Sequence, residues 1–470
     1  MIQYTGTYTD LYQLSMAQVY FDTGRKNETA VFDYFFRKLP FGGGYAVFCG
    51  LETLLDIIET LHFDDEDIDF LRQYGFSEKF LDYLKSFRFS GNIFSPREGD
   101  IVFPTRPILQ IEATLIEAQI LETVLLNVLN YQTLIATKAS RMRTVAGQFH
   151  LIDFGLRRAQ GPAAYYGARA SIVGGFNATS NVRAARDFGI KASGTMAHSF
   201  IQSYENELDA FRDFALHRPN GCVLLVDTYN TLESGVPNAI TVAKEMEKRN
   251  QQLLAIRLDS GDLAYLARET RKMLDDADLK YVKIAASNQL DEKVIRSLRE
   301  QQAPIDIYGI GTSMITGSPD AALDGVYKLV EHDGQPAIKL SETIEKVTIP
   351  GRKQVFRLAN QDGQWIGADL IALRDENLIE KMYSPFDPIK SMKVKPFQQE
   401  PLLTSMMENG KRTAAKQTLE EIAAFTREQL QKLPAEYKRF DNPHIYKVGL
   451  SSELNTLRNQ LIEQYKHPEL

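Results

Sequence analysis

The middle of this 470-residue sequence repeats one pattern, in which a short apolar run ends in polar or glycine residues and an amphipathic segment follows. Three of the runs end near Asp227, Arg257 and Ser287, so successive units are 30 residues long. A strand and its covering helix have about this length, and their repetition predicts parallel strands with helices outside them. We therefore predict an α/β fold whose middle is an irregular (β/α) barrel, with a doubly wound sheet as the alternative.

Five apolar runs supply the expected strands, which lie at 150–155, 222–227, 253–259, 281–287 and 305–311. Amphipathic segments separate the last four runs, and they lie at 236–250, 262–276 and 290–302. Apolar residues recur at helical spacing in the second segment, which predicts helices that cover the sheet.

The two flanking regions have other patterns. Residues 1–135 mix strands with helices, including a strand at 30–36 and one long apolar helix at 114–136. Asp333-Gly334 and Asp362-Gly363 lie between apolar runs and predict two hairpin turns. We expect three domains: an N-terminal α/β domain (1–135), a catalytic barrel (136–325), and hairpins and helices that pack on the other two (326–470).

Composition argues against several functional classes. The formal charge is −7, whereas proteins that bind nucleic acid are usually basic. Two cysteines, Cys49 and Cys222, provide neither a disulfide framework nor a four-thiolate metal site. No apolar run approaches the roughly 20 residues of a membrane span, and the start does not resemble a signal peptide. We expect a cytoplasmic protein that binds neither nucleic acid nor membranes.

Polar and glycine residues follow each predicted strand, where ligands collect in parallel α/β folds. Arginines and glycine-rich turns suit phosphate oxygens, and carboxylates suit ribose hydroxyls or Mg²⁺. Together they predict a site for a phosphorylated sugar. Its candidate residues are Asp153, Phe154, Gly155, Arg157, Asp227, Thr228, Arg257, Asp259, Ser260, Gly261, Ser287, Asn288, Gly309, Gly311 and Thr312.

Longer motifs make the prediction specific, because in their order along the chain they resemble those of the nicotinate phosphoribosyltransferase family. They include YTDLYQLSMAQVYF near the start, RKLPFGGGYAVFCGLE, DFGLRRAQGP, GGFNATSNVRAA, GTMAHSF, LLVDTYNTLESGVPNAI, IRLDSGDL, YGIGTSMIT, GVYKLVE and KVTIPGRKQVFR.

This resemblance implies a reaction and a fold. Nicotinate would displace pyrophosphate from 5-phosphoribosyl-1-pyrophosphate, with Mg²⁺ as cofactor, to give nicotinate mononucleotide for NAD salvage. ATP hydrolysis would be coupled to this transfer, as in a ligase, through a phosphohistidine that position assigns to His198. The implied fold is an irregular barrel with an additional α/β domain built from the N-terminal region and a C-terminal strand and helix region, and the implied assembly is a homodimer with shared active sites.

The resemblance also assigns residues. Phe154 would cover one face of the nicotinate ring, and Tyr12 of a second subunit the other. Arg157 and Arg257 would bind the ring carboxylate or the 5-phosphate. Other matching positions bind phosphate, ribose, substrate or metal, and they are Thr195, Thr312, Gly309, Gly311, Arg141, Asp227, Asp259, Ser287 and Asn288. Mg²⁺ would bind through Asp227 or Asp259.

Ser180 bears on the choice between acid and amide. The related nicotinamide phosphoribosyltransferase has an aspartate at the position that Ser180 occupies. Aspartate would repel a carboxylate, whereas serine can donate a hydrogen bond to it. We therefore expect the acid to be the substrate.

His198 has several possible roles when taken alone. It could be structural, or it could serve as a general base, although a pyridine nucleophile needs no strong base. Metal ligation is a poor explanation, because no second His or Cys lies three or four residues away. Phosphoryl acceptance fits best with the motif, and a carboxylate, Asp227 or Asp259, would then hold the second ring nitrogen.

Three other functions remain open at this point. The chain could use nicotinamide or quinolinate in the same type of transfer. It could be a phosphosugar aldolase or isomerase, for which Lys283 is the candidate Schiff-base residue. It could also bind a ligand without turnover.

Overall fold

The structure is a computed structural model that describes residues 3–377 and 379–466. These residues form two compact units: a barrel unit from 138–321, and a flanking unit from the segments that precede 138 and follow 321. The predicted α/β fold is confirmed, whereas the division into three domains stays a prediction. Within the described residues, no helix is both long and apolar enough to span a bilayer.

The N-terminal segment of the flanking unit begins with a helix and then alternates between strands and helices. Its elements are α1 (Leu11–Asp22), β1 (Thr29–Phe36), a 3₁₀ turn (Pro40–Gly42), β2 (Ala46–Val47), α2 (Leu51–Thr60), α3 (Asp65–Gln73), α4 (Glu78–Lys85), β3 (Asn92–Ser95), β4 (Ile101–Val102), β5 (Leu109–Thr114), α5 (Leu115–Ile120) and α6 (Glu122–Ala146), whose last residues enter the barrel unit.

The barrel unit alternates strands with helices. Its elements are β6 (His150–Asp153), α7 (Pro162–Val173), β7 (Ala178–Thr179), α8 (Val182–Phe188), α9 (His198–Gln202), α10 (Glu207–His217), β8 (Val223–Leu225), a π turn (Thr231–Gly235), α11 (Val236–Glu247), β9 (Ala255–Leu258), α12 (Leu263–Asp276), β10 (Lys283–Ser287), α13 (Glu292–Glu300), β11 (Ile307–Ile310) and α14 (Thr312–Ile315).

The C-terminal segment returns to the flanking unit. Its elements are β12 (Gly325–His332), β13 (Gln335–Pro336), a 3₁₀ turn (Ile344–Lys346), β14 (Lys353–Ala359), β15 (Trp365–Leu373), β16 (Lys381–Tyr383), β17 (Ser391–Lys393), β18 (Gln398–Pro401), β19 (Thr404–Glu408), β20 (Lys411–Arg412), α15 (Leu419–Lys432), a 3₁₀ turn (Ala435–Lys438), β21 (Lys447–Ser451) and α16 (Ser452–Lys466).

The barrel sheet has six parallel strands in the order β7-β6-β11-β10-β9-β8. Five of them are the predicted apolar runs, and α11, α12 and α13 are the predicted covering helices. Register places Ala285 beside Arg257, and Ser287 beside Gly309. The polar residues at the strand ends therefore meet at one edge of the sheet.

The flanking unit holds an antiparallel seven-stranded sheet in the order β13-β12-β1-β5-β3-β19-β20. A second sheet, with six strands, runs β17-β16-β21-β15-β14-β18. Both predicted hairpin turns are confirmed. Asp333 and Gly334 join β12 to β13, and both have positive φ, as a tight two-residue turn requires. The turn at Asp362-Gly363 joins β14 to β15.

The single helix predicted at 114–136 is wrong. The chain forms two helices that meet at Leu121, whose ψ of −17° departs from the helical value. At the start of the first helix, α5, the Thr114 N–H donates to Glu117 Oε2 at 3.3 Å. Both segments are apolar, so hydrophobic periodicity gives no sign of the break. The second helix, α6, also continues to Ala146, because residues 137–146 include no proline or glycine.

Candidate active site

The site lies at the carboxyl ends of the barrel strands. Arg257 lies in β9 and Asp259 directly follows it, while Ser287 ends β10. Asp227 lies two residues beyond β8. Because the strands are parallel, their carboxyl ends share one edge, and this convergence is what the 30-residue spacing predicts.

Arg257 is the centre of a polar network. Its Nε donates to Ser287 Oγ at 3.0 Å, and its Nη1 donates to Thr195 Oγ1 at 2.6 Å. Its Nη2 lies 3.4 Å from Asp259 Oδ1, which also accepts from the Ser287 hydroxyl. Two hydroxyls and a backbone carbonyl, that of Met196, supply its hydrogen-bond acceptors. The positive charge of Arg257 is therefore only partly offset within the network.

His198 begins the short helix α9 and faces two of the strand ends. Its Nδ1 lies 3.1 Å from the Thr228 hydroxyl, and its Nε2 lies 3.8 Å from Asp259 Oδ2. The side chain is 40% exposed, so the ring does not point into a dry interior. We predicted that a carboxylate would orient the second nitrogen. The structure instead places a hydroxyl at hydrogen-bond distance from Nδ1, and a carboxylate further from Nε2.

Asp227 has one occupied and one open oxygen. Its Oδ2 accepts from the backbone N–H of Asp259 at 2.8 Å and from Ser260 Oγ at 2.6 Å. Its Oδ1 is buried, and no described residue forms a hydrogen bond with it. A buried carboxylate oxygen without a donor is costly unless a ligand, water or cation satisfies it.

Mg²⁺ fits this arrangement only as an ion shared with substrate. Among the described residues, no group of three or more His, Cys, Asp or Glu is placed to hold a metal ion. Magnesium typically binds through one or two carboxylates together with substrate phosphates, rather than in a cage made by the protein. The open oxygen of Asp227 is consistent with that mode.

Phe154 forms an aromatic wall beside β11. Its backbone N–H donates to the carbonyl of Ile310 at 2.8 Å. A Cβ on Gly309 would lie 2.4 Å from the Phe154 ring, so glycine is required for this close approach. The Arg257 guanidinium carbon lies 5.7 Å from the ring centroid. The aromatic ring and the cation therefore lie side by side.

Ser180 is positioned through a buried aspartate. The backbone N–H of Ser180 donates to the carbonyl of Asp153 at 2.8 Å. The carboxylate of Asp153 accepts from the Gly155 N–H and from the Thr179 hydroxyl, each at 2.7 Å. Burial raises the pKa of Asp153. Asp153 is therefore fully engaged in holding the loop, and Ser180 remains partly exposed.

Other predicted site residues have different surroundings. Arg141 lies on α6, where its Nε donates to the buried Glu292 at 3.2 Å. Arg157, Asn288 and Thr312 are exposed in the barrel unit. Gly311 passes close to the Phe154 carbonyl, 3.0 Å from where a Cβ would lie. Tyr12 is on α1 of the flanking unit and is 52% exposed.

Two residues near the site were not among the residues assigned a role from sequence. Thr228 lay at a predicted strand end, but nothing marked it as a partner of His198. Glu207 begins α10 and is only 5% exposed. Its Oε2 accepts from Asn238 Nδ2 at 2.9 Å, and its pKa is raised by burial and further by the charge of Asp227. A glutamate at a helix start usually indicates only favourable helix-dipole electrostatics, so the sequence carried no signal for Glu207.

Lys283 lies away from this edge. It begins β10, whereas Ser287 ends the same strand. At that amino end, Lys283 lines a groove of about 490 Å³ together with Lys280, Arg271 and Asp306. The site residues lie at the other end of the sheet. This position does not support the Schiff-base alternative.

Family models of nicotinate phosphoribosyltransferase match most of the chain. A family model described as the nicotinate phosphoribosyltransferase (NAPRTase) family matches residues 149–379. Models of the N-terminal and C-terminal domains of nicotinate phosphoribosyltransferase match residues 7–130 and 352–458.

Individual proteins give the same result. The chain is 45% identical over 469 residues to a nicotinate phosphoribosyltransferase of Bacillus subtilis, covering 98% of this chain and 95% of that protein. It is 41% identical to one of Mycobacterium tuberculosis, covering 95% and 92%. The crystal structure of human nicotinic acid phosphoribosyltransferase superposes with a TM-score of 0.87 at 31% identity, covering 96% of this chain and 99% of that one.

Proposed function

The chain belongs to the nicotinate phosphoribosyltransferase family, and we propose that it makes nicotinate mononucleotide in NAD salvage with coupled ATP hydrolysis. The proposed reaction converts nicotinate, 5-phosphoribosyl-1-pyrophosphate, ATP and water to nicotinate mononucleotide, pyrophosphate, ADP and phosphate. The observation that carries it is the convergence of His198, Arg257 and Asp259 at the carboxyl edge of the barrel sheet.

Phosphoribosyl transfer requires one bond to break and one to form at C1 of the ribose. The C1–O bond breaks and its electron pair leaves with pyrophosphate, while the pyridine nitrogen of nicotinate forms the new bond to C1. Positive charge develops on the sugar and negative charge on pyrophosphate. Mg²⁺, when bound, would neutralise pyrophosphate, and the open oxygen of Asp227 would help to hold it.

Nicotinate needs positioning rather than activation, because its ring nitrogen is already a nucleophile. Phe154 offers a face for the ring, and Arg257 lies beside that face with its charge only partly offset. An arginine at this place can bind the ring carboxylate through two parallel hydrogen bonds. Such positioning accounts for a large share of the rate in reactions between two bound substrates.

His198 is the proposed acceptor of the γ-phosphoryl group of ATP. If Nδ1–H donates to the Thr228 hydroxyl, the lone pair lies on Nε2, the nitrogen nearer Asp259. Attack by Nε2 would form the N–P bond and break the bond from the γ-phosphorus to the bridging oxygen, which leaves with ADP. Water would later take the phosphoryl group as inorganic phosphate.

Phosphorylation can drive transfer only if it changes the affinity for substrates or products. The arrangement provides a route, because Asp259 contacts both His198 and Arg257. A phosphate on Nε2 would place negative charge beside Asp259. The electrostatic field at Arg257, where substrate anions bind, would then change.

The remaining assignments are also proposals. Ser180 would select the acid by donating a hydrogen bond to its carboxylate, and Thr195, Thr312 and the Gly309–Gly311 backbone would contact phosphates. Tyr12, exposed on α1, would cover the second face of nicotinate in the site of a second copy. This arrangement requires a homodimer. We place the protein in the cytoplasm and in the ATP-dependent ligase class.

The direct test is an assay of nicotinate, phosphoribosyl pyrophosphate and Mg²⁺ with and without ATP, following both the mononucleotide and ADP. The expected result is mononucleotide from nicotinate, faster with ATP, with ADP formed alongside it. Parallel reactions with nicotinamide and quinolinate provide the comparison. Preferred use of either alternative, or equal rates with and without ATP, would overturn the substrate or the coupling respectively.

A further inference from the structure

The flanking unit buries a guanidinium for which the described part of the chain supplies no anionic partner. Arg458 lies on α16 and is 3% exposed. Its Nη1 donates to the carbonyl oxygen of Pro385 at 3.0 Å. Its Nε and Nη2 are also buried, and among residues 3–377 and 379–466 none accepts a hydrogen bond from either atom. Two nitrogens of this buried cation, which carry three N–H bonds, are therefore left without an acceptor among these residues.

Other buried arginines of the same unit are paired. Arg106 Nε lies 2.8 Å from Asp369, and Arg357 Nη1 lies 2.8 Å from Asp100. An unpaired buried charge costs several kcal/mol, and a guanidinium does not lose its proton to avoid that cost. Burial lowers the pKa of Arg458, and no neighbouring charge among the described residues raises it again. The physical expectation is that a negative guest offsets this charge.

The space beside Arg458 limits the size of that guest. The cavity has a volume of about 10 Å³ and is lined largely by apolar groups, including Phe35, Ile349 and Phe386. This volume admits about one water-sized sphere. A phosphate, a carboxylic acid or a nucleotide is too large for it.

Two carboxylates also line the cavity, but neither is paired with Arg458. Asp33 Oδ2 lies 2.9 Å from Lys353 Nζ, and its Oδ1 accepts from Gln110 Nε2 at 2.7 Å. Its charge is thus already offset. Glu345 is exposed in the 3₁₀ turn Ile344–Lys346, where solvent screens it.

We propose that this cavity binds one monatomic halide ion, chloride in the cell, on the Nε–H and Nη2–H groups of Arg458. The ion accepts hydrogen bonds from Nε–H and from one Nη2–H, and it offsets the buried charge. The site is independent of the proposed catalytic function, because all of its residues belong to the flanking unit.

The test uses the full chain in thermal unfolding, with sodium chloride compared with sodium gluconate at equal ionic strength. Chloride should raise the unfolding midpoint by about 2 °C and saturate, as binding to the folded state alone requires. Gluconate is too large for the cavity and controls for screening. Equal midpoints in the two salts at every concentration would overturn the proposal.

Arg458→Met removes the donors while keeping an unbranched apolar side chain, and it should abolish the difference between the salts. Arg427→Met is the matched control, since Arg427 is exposed on α15 and its loss changes the net charge equally. That control should retain the full chloride response. A persistent response in Arg458→Met would contradict the assignment.

Crystals of the unaltered chain soaked in bromide give a second readout that needs no variant. An anomalous peak within hydrogen-bond distance of Arg458 Nε and Nη2 is expected. A non-anomalous water there would show that the cavity holds solvent only and would overturn the proposal, even if Arg458→Met fails to fold.

Discussion

Two arginines show how differently the two units use charge. Arg357 in the flanking unit is 1% exposed, with Asp100 at 2.8 Å and Asp369 at 3.2 Å, and it lies 4.1 Å from the ring centroid of Trp365. Arg257 in the barrel unit is bound mainly by the neutral groups of Ser287 and Thr195. Removing one member of a compensated buried pair destabilises a fold, whereas a partly compensated charge can bind an anionic ligand.

A carboxylate from each unit shows the same difference in compensation. Asp369 is fully buried and has partners at both oxygens, including the Tyr446 hydroxyl at 2.8 Å. Asp227 has partners at one oxygen only, and its other oxygen is buried and open among the described residues. Substitutions at Arg357 or Asp369 should therefore lower stability, whereas substitutions at Arg257 or Asp227 should lower activity.

The largest expected effect is at His198. His198→Asn should abolish acid-labile labelling by γ-³²P ATP and all ATP hydrolysis, because no ring nitrogen remains to accept the phosphoryl group. Slow transfer without ATP should continue. His217→Asn, on the exposed face of α10, is the matched control and should label like the unaltered chain. Full labelling of His198→Asn would refute the assignment.

Arg357→Met should reduce the free energy of unfolding by about 3–5 kcal/mol, because it leaves Asp100 and Asp369 buried with less compensation. Urea unfolding followed by circular dichroism measures this. The kcat/KM of the folded fraction should stay unchanged. A loss below 1 kcal/mol, with activity reduced instead, would reverse the comparison between the two arginines.

Arg257→Met should lower kcat/KM for nicotinate by about 100-fold, since a charged donor at the substrate anion is lost. The midpoint of urea unfolding should change little, because the partners left behind are mainly neutral groups and the Ser287 hydroxyl keeps Asp259 as its acceptor. Arg257→Lys keeps the charge without the planar fork and should have intermediate activity. Steady-state kinetics on both variants would test this ranking, and equal kcat/KM values for Arg257→Met and Arg257→Lys would contradict it.

Ser180→Asp should lower kcat/KM for nicotinate by about 30-fold, because two carboxylates would face each other. Nicotinamide should become a better substrate, since aspartate accepts hydrogen bonds from its amide. Ser180→Ala removes the hydroxyl alone, so it should weaken nicotinate use less and should not improve nicotinamide use. Unchanged nicotinate kinetics in Ser180→Asp would show that Ser180 does not face the carboxylate of nicotinate.

The smallest effect concerns pH. The pKa of Glu207 is raised in the folded state, so its protonated form contributes stability that is complete below the unfolded pKa. That contribution is lost as pH rises through the folded pKa. Glu207→Gln is neutral throughout, so its stability relative to the unaltered chain should increase from about pH 4.5 upward and then level off. Thermal midpoints across pH measure this trend, which the exposed Glu205→Gln should not show.

The spacing of Asp227, Arg257 and Ser287 was sufficient to predict the barrel sheet, because a strand and its helix have a fixed length. It also predicted which residues meet, since parallel strands end at one edge. The two-residue strand Ala178–Thr179 was missed, because two residues carry no periodicity. The break at Leu121 was missed for a related reason, as α5 and α6 are both apolar.

Side-chain partners were harder to predict than positions. A predicted carboxylate at His198 proved to be 3.8 Å away, and the hydroxyl of Thr228 is closer. The spacing also gave no sign that Arg141, which stays a candidate for phosphate or ribose, would contact Glu292. Such pairs depend on the packing of distant segments, which spacing along the chain does not record.

The most direct measurement is the position of phosphate after the chain is incubated with ATP and Mg²⁺. We predict one phosphoryl group per chain on Nε2 of His198, identified by ³¹P NMR of the denatured protein and by mass spectrometry of its peptides. Phosphate on Nδ1, on another residue, or on none while ATP is hydrolysed would contradict the role given to His198.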